Sequence, residues 1–503
     1  MTYMRAAAVF SDNMVLQRRR PVRIFGTCAR HQGDITVSIP ELDVSAKALI
    51  SGKKWEAVLP PMEAVESCTL ELISGAVRKK FVNVAVGEVW LAGGQSNMEF
   101  ELQNELNGSK ALAECKDENV RFYYTPKCEM LNEKLLSSER NTCWGLPSEE
   151  GARAWSAVGY YFAKELSRRL GVTVGVIGCN WGGTSASAWI PREALERDSR
   201  IRPYIDEYDK AIEGKSPEEM IAEYEEYGRY QWGWQQRQQQ LCDERPDVSW
   251  AEILEICGEN RFPGPAGIMN PMRPCGLHET MISRIAPYTL GGVIYYQGES
   301  DDTRPDTYEV LMKALIDQWR RDWKDNELPF LMVQLPMHRY ANEPDTKSWP
   351  VIREAQMNVF RTVKNTGLAV ALDCGEFDEI HPKEKAVIAH RLYLQALSEV
   401  YGLAGREDTL SPLFSYAVNG NGRIRLYFDN CSGFEATGEI NGFEVSGADG
   451  RLVPAEAEID GNTIILRADI EAPLTEVRYK WTNYADVELY GKNGLPVPTF
   501  RKK

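Results

Sequence analysis

The sequence predicts an α/β protein: a parallel sheet with helices on both faces, flanked at each end by a β-sandwich domain. Between residues 85 and 405, continuous apolar runs alternate with helical stretches. Before 85 and after 405 there are short strand-like segments and no helical period of useful length. A chain of 503 residues also exceeds what one hydrophobic core usually serves.

Residues 1–84 read as an N-terminal β-sandwich, because VRIFGTC, DITVSIP and WEAVLPP are short, alternating or β-branched, and divided by Gly, Pro and charged turns. From 85 the pattern becomes strand, loop, helix. VAVGEVWLAGG is apolar without interruption, as a strand buried on both faces must be. VRFYYT, VTVGVIGCN, GGVIYYQG, PFLMVQLP and GLAVALDCG follow in the same style. Helical stretches at 155–170, 307–324 and 383–402 supply crossovers. Residues 198–262 break the alternation. They are polar and Glu/Gln-rich with a helical pattern, and read as a helical insertion. Its aromatics Tyr227, Tyr230, Trp232 and Trp234 are read first as packing groups, with a sugar-binding wall as the alternative. Residues 406–503 return to strands broken by NG, DG and GN turns, the expected C-terminal β-sandwich.

Composition narrows the partners. Apolar residues at 43% and charged residues at 26% mark an ordinary globular chain. A net charge of −15 argues against nucleic acid or an anionic membrane surface. The apolar runs are strand-length, too short to cross a bilayer. Ser11 and Asp12 interrupt the N-terminal apolar stretch, a poor match to a secretory leader, so the expected location is cytoplasmic. The eleven cysteines are odd in number and scattered, which fits reduced, mostly buried thiols. With five histidines (His31, His278, His338, His381, His390) and no zinc-type spacing, no metal site is expected.

Four segments carry chemistry. GGQSNM (93–98) places Ser96 after a buried strand and a two-glycine turn, before a helical run. Open α/β sheets bind ligands at that edge, and glycines there let backbone N–H groups approach a reacting carbonyl. It is not the GxSxG elbow, since Met98 stands where the last glycine would be. Alone, such a serine reads as a helix N-cap. DEIH (378–381) brings Asp378 within reach of His381, one carboxylate oxygen accepting from Nδ1–H while Nε2 is left for the serine proton. Alone, Asp378 is also a capping residue, and His338 is the rival base. WGGT (181–184) and YQGES (296–300) follow two more strands. A glycine N–H from Gly182 or Gly183 and the Gln297 amide are candidate oxyanion donors beside the Ser96 N–H. Taken singly they are a tight turn and a solvated strand end. Together, four polar or glycine-rich segments at the carboxyl ends of different strands point to nucleophilic catalysis by Ser96.

GGQSNM, WGGT, YQGES and DxxHP, in this order and spacing, resemble the sialate O-acetylesterase family of SGNH (GDSL-like) hydrolases. FSDNMVLQRRRPVRIFG and VRYKWTNYADVELYGKNGLPVPTFR resemble its opening and closing segments, so the likeness spans nearly the whole chain. The resemblance implies a flavodoxin-like three-layer catalytic domain over 85–405. It implies Ser96 as nucleophile, His381 as base and Asp378 as its orienting carboxylate. Ser96 N–H, Gly182 or Gly183, and Gln297 would form the oxyanion hole. Glu299 would contact substrate or orient the histidine, with Asp373 a further acidic candidate. The implied reaction removes O-acetyl groups from a carbohydrate without metal or organic cofactor. Acetylated sialic acid and acetylated xylan or mannan fragments are the substrates to consider, with Trp181 and Trp189 as candidate sugar contacts. Two other readings stand beside it: a non-catalytic glycan-binding protein, and a sugar O-acyltransferase using the same triad. The sequence leaves the oligomeric state open.

Overall fold

A computed structural model of the chain describes residues 4–29, 33–117, 119–245, 247–420, 423–470 and 473–502. Its organising element is one 18-residue strand, β1 (Val77–Gly94). The first part of β1 carries lysines and an arginine and is largely exposed; from Val84 to Gly94 every residue is buried. That change in burial matches a change in pairing. The first part pairs antiparallel with Val65–Ser74, and the second pairs parallel with two strands of the central sheet.

The central sheet adds β2 (Val120–Tyr124), β3 (Val174–Asn180), β4 (Gly292–Tyr296), β5 (Phe330–Gln334) and β6 (Thr366–Val370). The order across it is β2-β3-β1-β4-β5-β6, all parallel. Helices cover both faces. Trp90 meets Phe162 of the helix Ala157–Leu170, with ring centroids 4.9 Å apart. A Cβ on Gly93 would come 3.0 Å from the Trp319 indole in the helix Tyr308–Asp322. Residues 90 and 93 differ in parity along the strand, so these helices lie on opposite faces. The chain leaves β3 on one side of β1 and returns as β4 on the other, which opens a crevice at the carboxyl ends of these three strands.

The N-terminal strands form a four-stranded antiparallel sheet in the order Met4–Ala6, Val22–Cys28, Lys54–Leu59 and Leu49–Ser51. Thr36–Ile39, Val44–Lys47 and Val65–Ser74 continue instead onto β1. The expected boundary between residues 84 and 85 therefore falls inside one strand. Val9, Ile24, Leu70 and Phe81 share a single buried cluster with the parallel sheet. The sequence pattern changes there because β1 passes from a half-exposed to a fully buried position, without a turn in the chain. The C-terminal strands differ: Phe414, Leu426, Tyr479 and Phe500 belong to a core of their own.

The insertion at 198–262 folds as the helices Pro203–Ile212, Pro217–Glu244 and Trp250–Cys257, the last two opened by capping boxes at Ser216 and Ser249. Trp234, Ile253 and Cys257 form its small core. All eleven cysteines are free thiols. Among the described residues, no helix is long and apolar enough to cross a membrane.

Gly94 joins β1 to the crevice at a φ of +133°, and a Cβ there would stand 2.1 Å from the Tyr296 carbonyl oxygen. Gly94→Ala is expected to cost at least about 2 kcal/mol, from left-handed strain and the clash with backbone. Urea unfolding reads this directly; an unchanged midpoint would contradict the close approach of β1 and β4.

Candidate active site

Three backbone N–H groups tie the crevice together, two to carbonyls and one to a side chain. Trp181 N–H donates to Gly94 O at 3.1 Å, Gln95 N–H donates to Tyr296 O at 3.1 Å, and Ser300 N–H donates to the Gln95 side chain at 3.2 Å. On this platform a one-turn helix, Ser96–Glu99, begins. Its N-cap is Gln95, whose carbonyl accepts from Met98 and Glu99 N–H at 2.9 Å each. Ser96 is thus not the cap. Its hydroxyl lies 2.8 Å from His381 Nε2, and its backbone N–H donates to no described acceptor.

The other described histidines are engaged elsewhere. His338 packs between the rings of Tyr340 and Trp349, His278 contacts Asp322 at 3.0 Å, and His390 contacts Glu165 at 2.8 Å. His31 lies outside the described residues. Asp378 does not reach His381. A left-handed φ of 65° turns it toward the neighbouring loop, where its carboxylate accepts from Ala341 N–H at 2.8 Å. The carboxylate facing the outer nitrogen of His381 is Glu379, 3.7 Å from Nδ1, beyond hydrogen-bond length, while accepting from the His381 N–H at 2.7 Å. Asp373 is tied to Arg391 at 2.8 Å.

The oxyanion candidates separate in the same way. A Cβ on Gly182 would lie 3.2 Å from Ser96 Cβ, so the absence of a side chain eases the close approach of this backbone to Ser96. Gly182 N–H donates to Glu99 at 2.6 Å, and Glu99 is ion-paired with Lys127. A carboxylate oxygen thus stands against this N–H. Gly183, at a φ of +74°, lies under the ring of Phe262. Gln297 is committed elsewhere. Its amide donates to Asp301 at 2.6 Å and to Thr184 O at 3.2 Å, while its Oε1 accepts from Tyr308 at 2.9 Å. Both amide hydrogens are spent, so Gln297 braces the β4 end and is no oxyanion donor in this arrangement. Asp301, missed in the sequence although it directly follows YQGES, also accepts from Ser185 at 2.6 Å, Ala186 N–H at 3.0 Å and Tyr204 at 2.9 Å.

Trp189 is fully buried and donates to Thr184 at 3.0 Å, so it is a core residue and not a sugar contact. Trp181 is half-buried beside Gly182, with the Lys127 ammonium 5.6 Å from its ring centre. The insertion aromatics mostly pack within their own segment. Trp234 is buried and donates to Gly258 O, Tyr230 donates to Glu259 O under a stacked Arg261, and Tyr227 lies against Gly264; Trp232 is exposed. Phe262, at the insertion's end, is the aromatic that reaches Gly183.

Below Ser96 lies a buried polar chain. Asn97 Nδ2 donates to Glu299 Oε1 at 2.6 Å and to Ile380 O at 3.0 Å. Its Oδ1 accepts from Lys385 Nζ at 2.6 Å. Lys385 is wholly buried, its ammonium 4.7 Å from the Phe100 ring centre and 5.8 Å from that of Tyr296. Burial pushes Glu299 above the usual carboxylate range and Lys385 down to about 8. His381 is pushed down to about 4 by burial first and by the Lys385 charge second, against a smaller opposing pull from Glu99. Among the described residues, no group of three or more His, Cys, Asp or Glu side chains is arranged to hold a metal ion.

Residues 270–395 match the family profile described as carbohydrate esterase, sialic acid-specific acetylesterase; that span includes Gln297, Glu299, His381 and Lys385. The sialate O-acetylesterase of Mus musculus is 26% identical, covering 99% of this chain and 94% of its own. That of Pongo abelii is 25% identical, covering 99% and 92%. A carbohydrate acetylesterase from Xanthomonas citri of known crystal structure aligns over 100% of both chains, at a TM-score of 0.77 and 28% identity. The chain resembles the sialate O-acetylesterase family over its whole length. It has the α/β fold of its carbohydrate esterase neighbour.

The depressed His381 pKa keeps the ring neutral, able to accept a proton, as pH falls to about 4. Proton NMR of the histidine ring signals, with His381 assigned from a His381→Gln spectrum, is expected to show a midpoint near that value. A midpoint at or above the ordinary imidazole value of about 6.5 would contradict the environment described.

Proposed function

We propose that this protein is a carbohydrate acetylesterase of the sialate O-acetylesterase type, acting through an acetyl-serine on Ser96. The observation that carries the reading is the 2.8 Å contact between Ser96 Oγ and His381 Nε2 in the crevice of the parallel sheet. The full-length likeness to named acetylesterases narrows acyl transfer to deacetylation of a sugar.

In the first half-reaction Ser96 Oγ attacks the acetyl carbonyl carbon while His381 Nε2 takes its proton. Negative charge gathers on the carbonyl oxygen, which is received by Ser96 N–H and, once the Glu99 carboxylate is displaced, by Gly182 N–H. One such donor contributes about 3 kcal/mol of transition-state stabilisation. The C–O bond to the sugar then breaks and His381 returns the proton to the departing hydroxyl. Water attacks the acetyl-serine with the same groups in reverse order and releases acetate. Protein groups carry each step. Acetate itself offers little to discriminate, so selectivity lies with the leaving sugar, and Trp181 and Phe262 on either side of the glycine turn are the surfaces offered to it.

The same reading assigns the central sheet and its two helical layers to the SGNH hydrolase class, with the terminal strand regions as β-sandwich flanks. It proposes action in the cytoplasm on acetylated oligosaccharide fragments or acetylated sialic acid.

Acetate release from a panel of acetylated xylan and mannan oligosaccharides and O-acetylated sialic acids tests the proposal. The native protein is expected to deacetylate at least one of these sugars, and Ser96→Ala to lose on the order of 10⁴-fold or more in kcat. Acetate release that survives Ser96→Ala, or none from any substrate, would overturn it.

A further inference from the structure

His381 Nδ1 donates to no carboxylate among the described residues, Glu379 lying 3.7 Å away, so other contacts hold the loop that aims its ring at Ser96. Asn97 is placed to make one. Its backbone follows Ser96 directly, and its side chain donates to the carbonyl of Ile380, the residue before His381. One side chain therefore joins the loop bearing the nucleophile to the loop bearing the base.

The surroundings leave Asn97 one orientation. Glu299 Oε1 and Ile380 O are both acceptors and face Nδ2, while the Lys385 ammonium is a donor and faces Oδ1. A flipped amide would set acceptor against acceptor and donor against donor. Glu299 Oε2 is buried without a hydrogen-bond partner. An incompletely satisfied carboxylate is costly in such a place, and the Lys385 charge offsets part of that cost. Lys385 opens the helix Lys385–Glu399, four residues beyond His381, so the chain also anchors the far side of the histidine loop.

We propose that the buried chain Lys385–Asn97–Glu299 is a positioning element of the active site, holding the loops that bear Ser96 and His381 in register. The inference rests on the Ser96–His381 esterase reading and adds three positioning residues to it. The charged groups facing His381 are Lys385, Glu99 and Glu379, with Glu299 one step behind Lys385. Of these, Lys385 alone sets its charge against protonation of the ring from within the proposed chain.

The test compares Asn97→Ala, Glu299→Gln, Lys385→Met and Ser96→Ala in the full-length protein. Each is measured for kcat, KM and the pH profile of kcat/KM on para-nitrophenyl acetate, with thermal melts as fold controls. Asn97→Ala is expected to lower kcat about a hundredfold while KM stays within about twofold, the pattern of lost reactant alignment. Glu299→Gln keeps an oxygen acceptor for Asn97 and is expected to lose less than about tenfold. Lys385→Met removes a neighbouring positive charge, so the acid limb should move upward toward the ordinary imidazole value of about 6.5. A folded Asn97→Ala variant with native kcat would overturn the proposal. Should that variant fail to fold, Lys385→Met decides: a profile superimposable on the native one overturns it as well. Loss of activity in Ser96→Ala beside native-like Asn97→Ala and Lys385→Met discards only the positioning chain, whereas activity surviving in Ser96→Ala discards the esterase reading itself.

Discussion

The close approach of β1 and β4 at Gly94 is the constraint on which the site depends. Without a Cβ, the chain passes against the Tyr296 carbonyl, and Gln95 N–H then closes onto that same oxygen. Trp181 N–H closes onto Gly94 O from the other side. Three strand ends are pinned within one short segment, and Ser96 is the second residue past the glycine. A backbone platform of this kind is stiff, because β1 is buried from Val84 onward, β3 and β4 are buried throughout, and each is bonded to its neighbours. The reacting groups can then sit on short turns without losing precision of placement.

Electrostatics works on top of that platform. A carboxylate accepts from Gly182 N–H beside Ser96, and a buried ammonium lies near the His381 imidazole. Both features suit the proposed reaction, in which negative charge develops on a carbonyl oxygen and a neutral imidazole takes a proton. Glu99, held by Lys127, accepts from the Gly182 N–H that the proposed reaction turns toward the oxyanion. Around these charges the ring of Asp301 donors locks Gln297 and connects the insertion, through Tyr204, to the end of β4.

Much of this was legible in the sequence. The buried strands declared themselves as uninterrupted apolar runs, and Ser96 and His381 followed from their places after such runs and from the scarcity of histidine. What escaped detection was side-chain direction. Asp378 stands at the right spacing from His381, but its left-handed backbone turns the carboxylate to Ala341, and spacing alone carries no φ. Gln297 stands at the right strand end, but its hydrogens are taken by Asp301 and Thr184, partners that only the folded chain assembles. Asn97 and Lys385 stood inside GGQSNM and just past DEIHP, where the sequence reading gave them no role. Their burial comes from the meeting of two loops nearly three hundred residues apart, for which local pattern has no signal. The domain edge at 84–85 misled for a related reason: a strand that crosses from half-exposed to buried changes its composition without changing its course.

The central claim is that Ser96 becomes covalently acetylated. Mass spectrometry of the protein quenched in the first turnovers with para-nitrophenyl acetate tests it most directly. The account predicts a mass gain of one acetyl group on the peptide containing Ser96, seen in the native protein and lost in Ser96→Ala. An acetyl group carried by a different side chain during turnover, or rapid turnover with a burst of product and no acetylated Ser96 peptide, would contradict it.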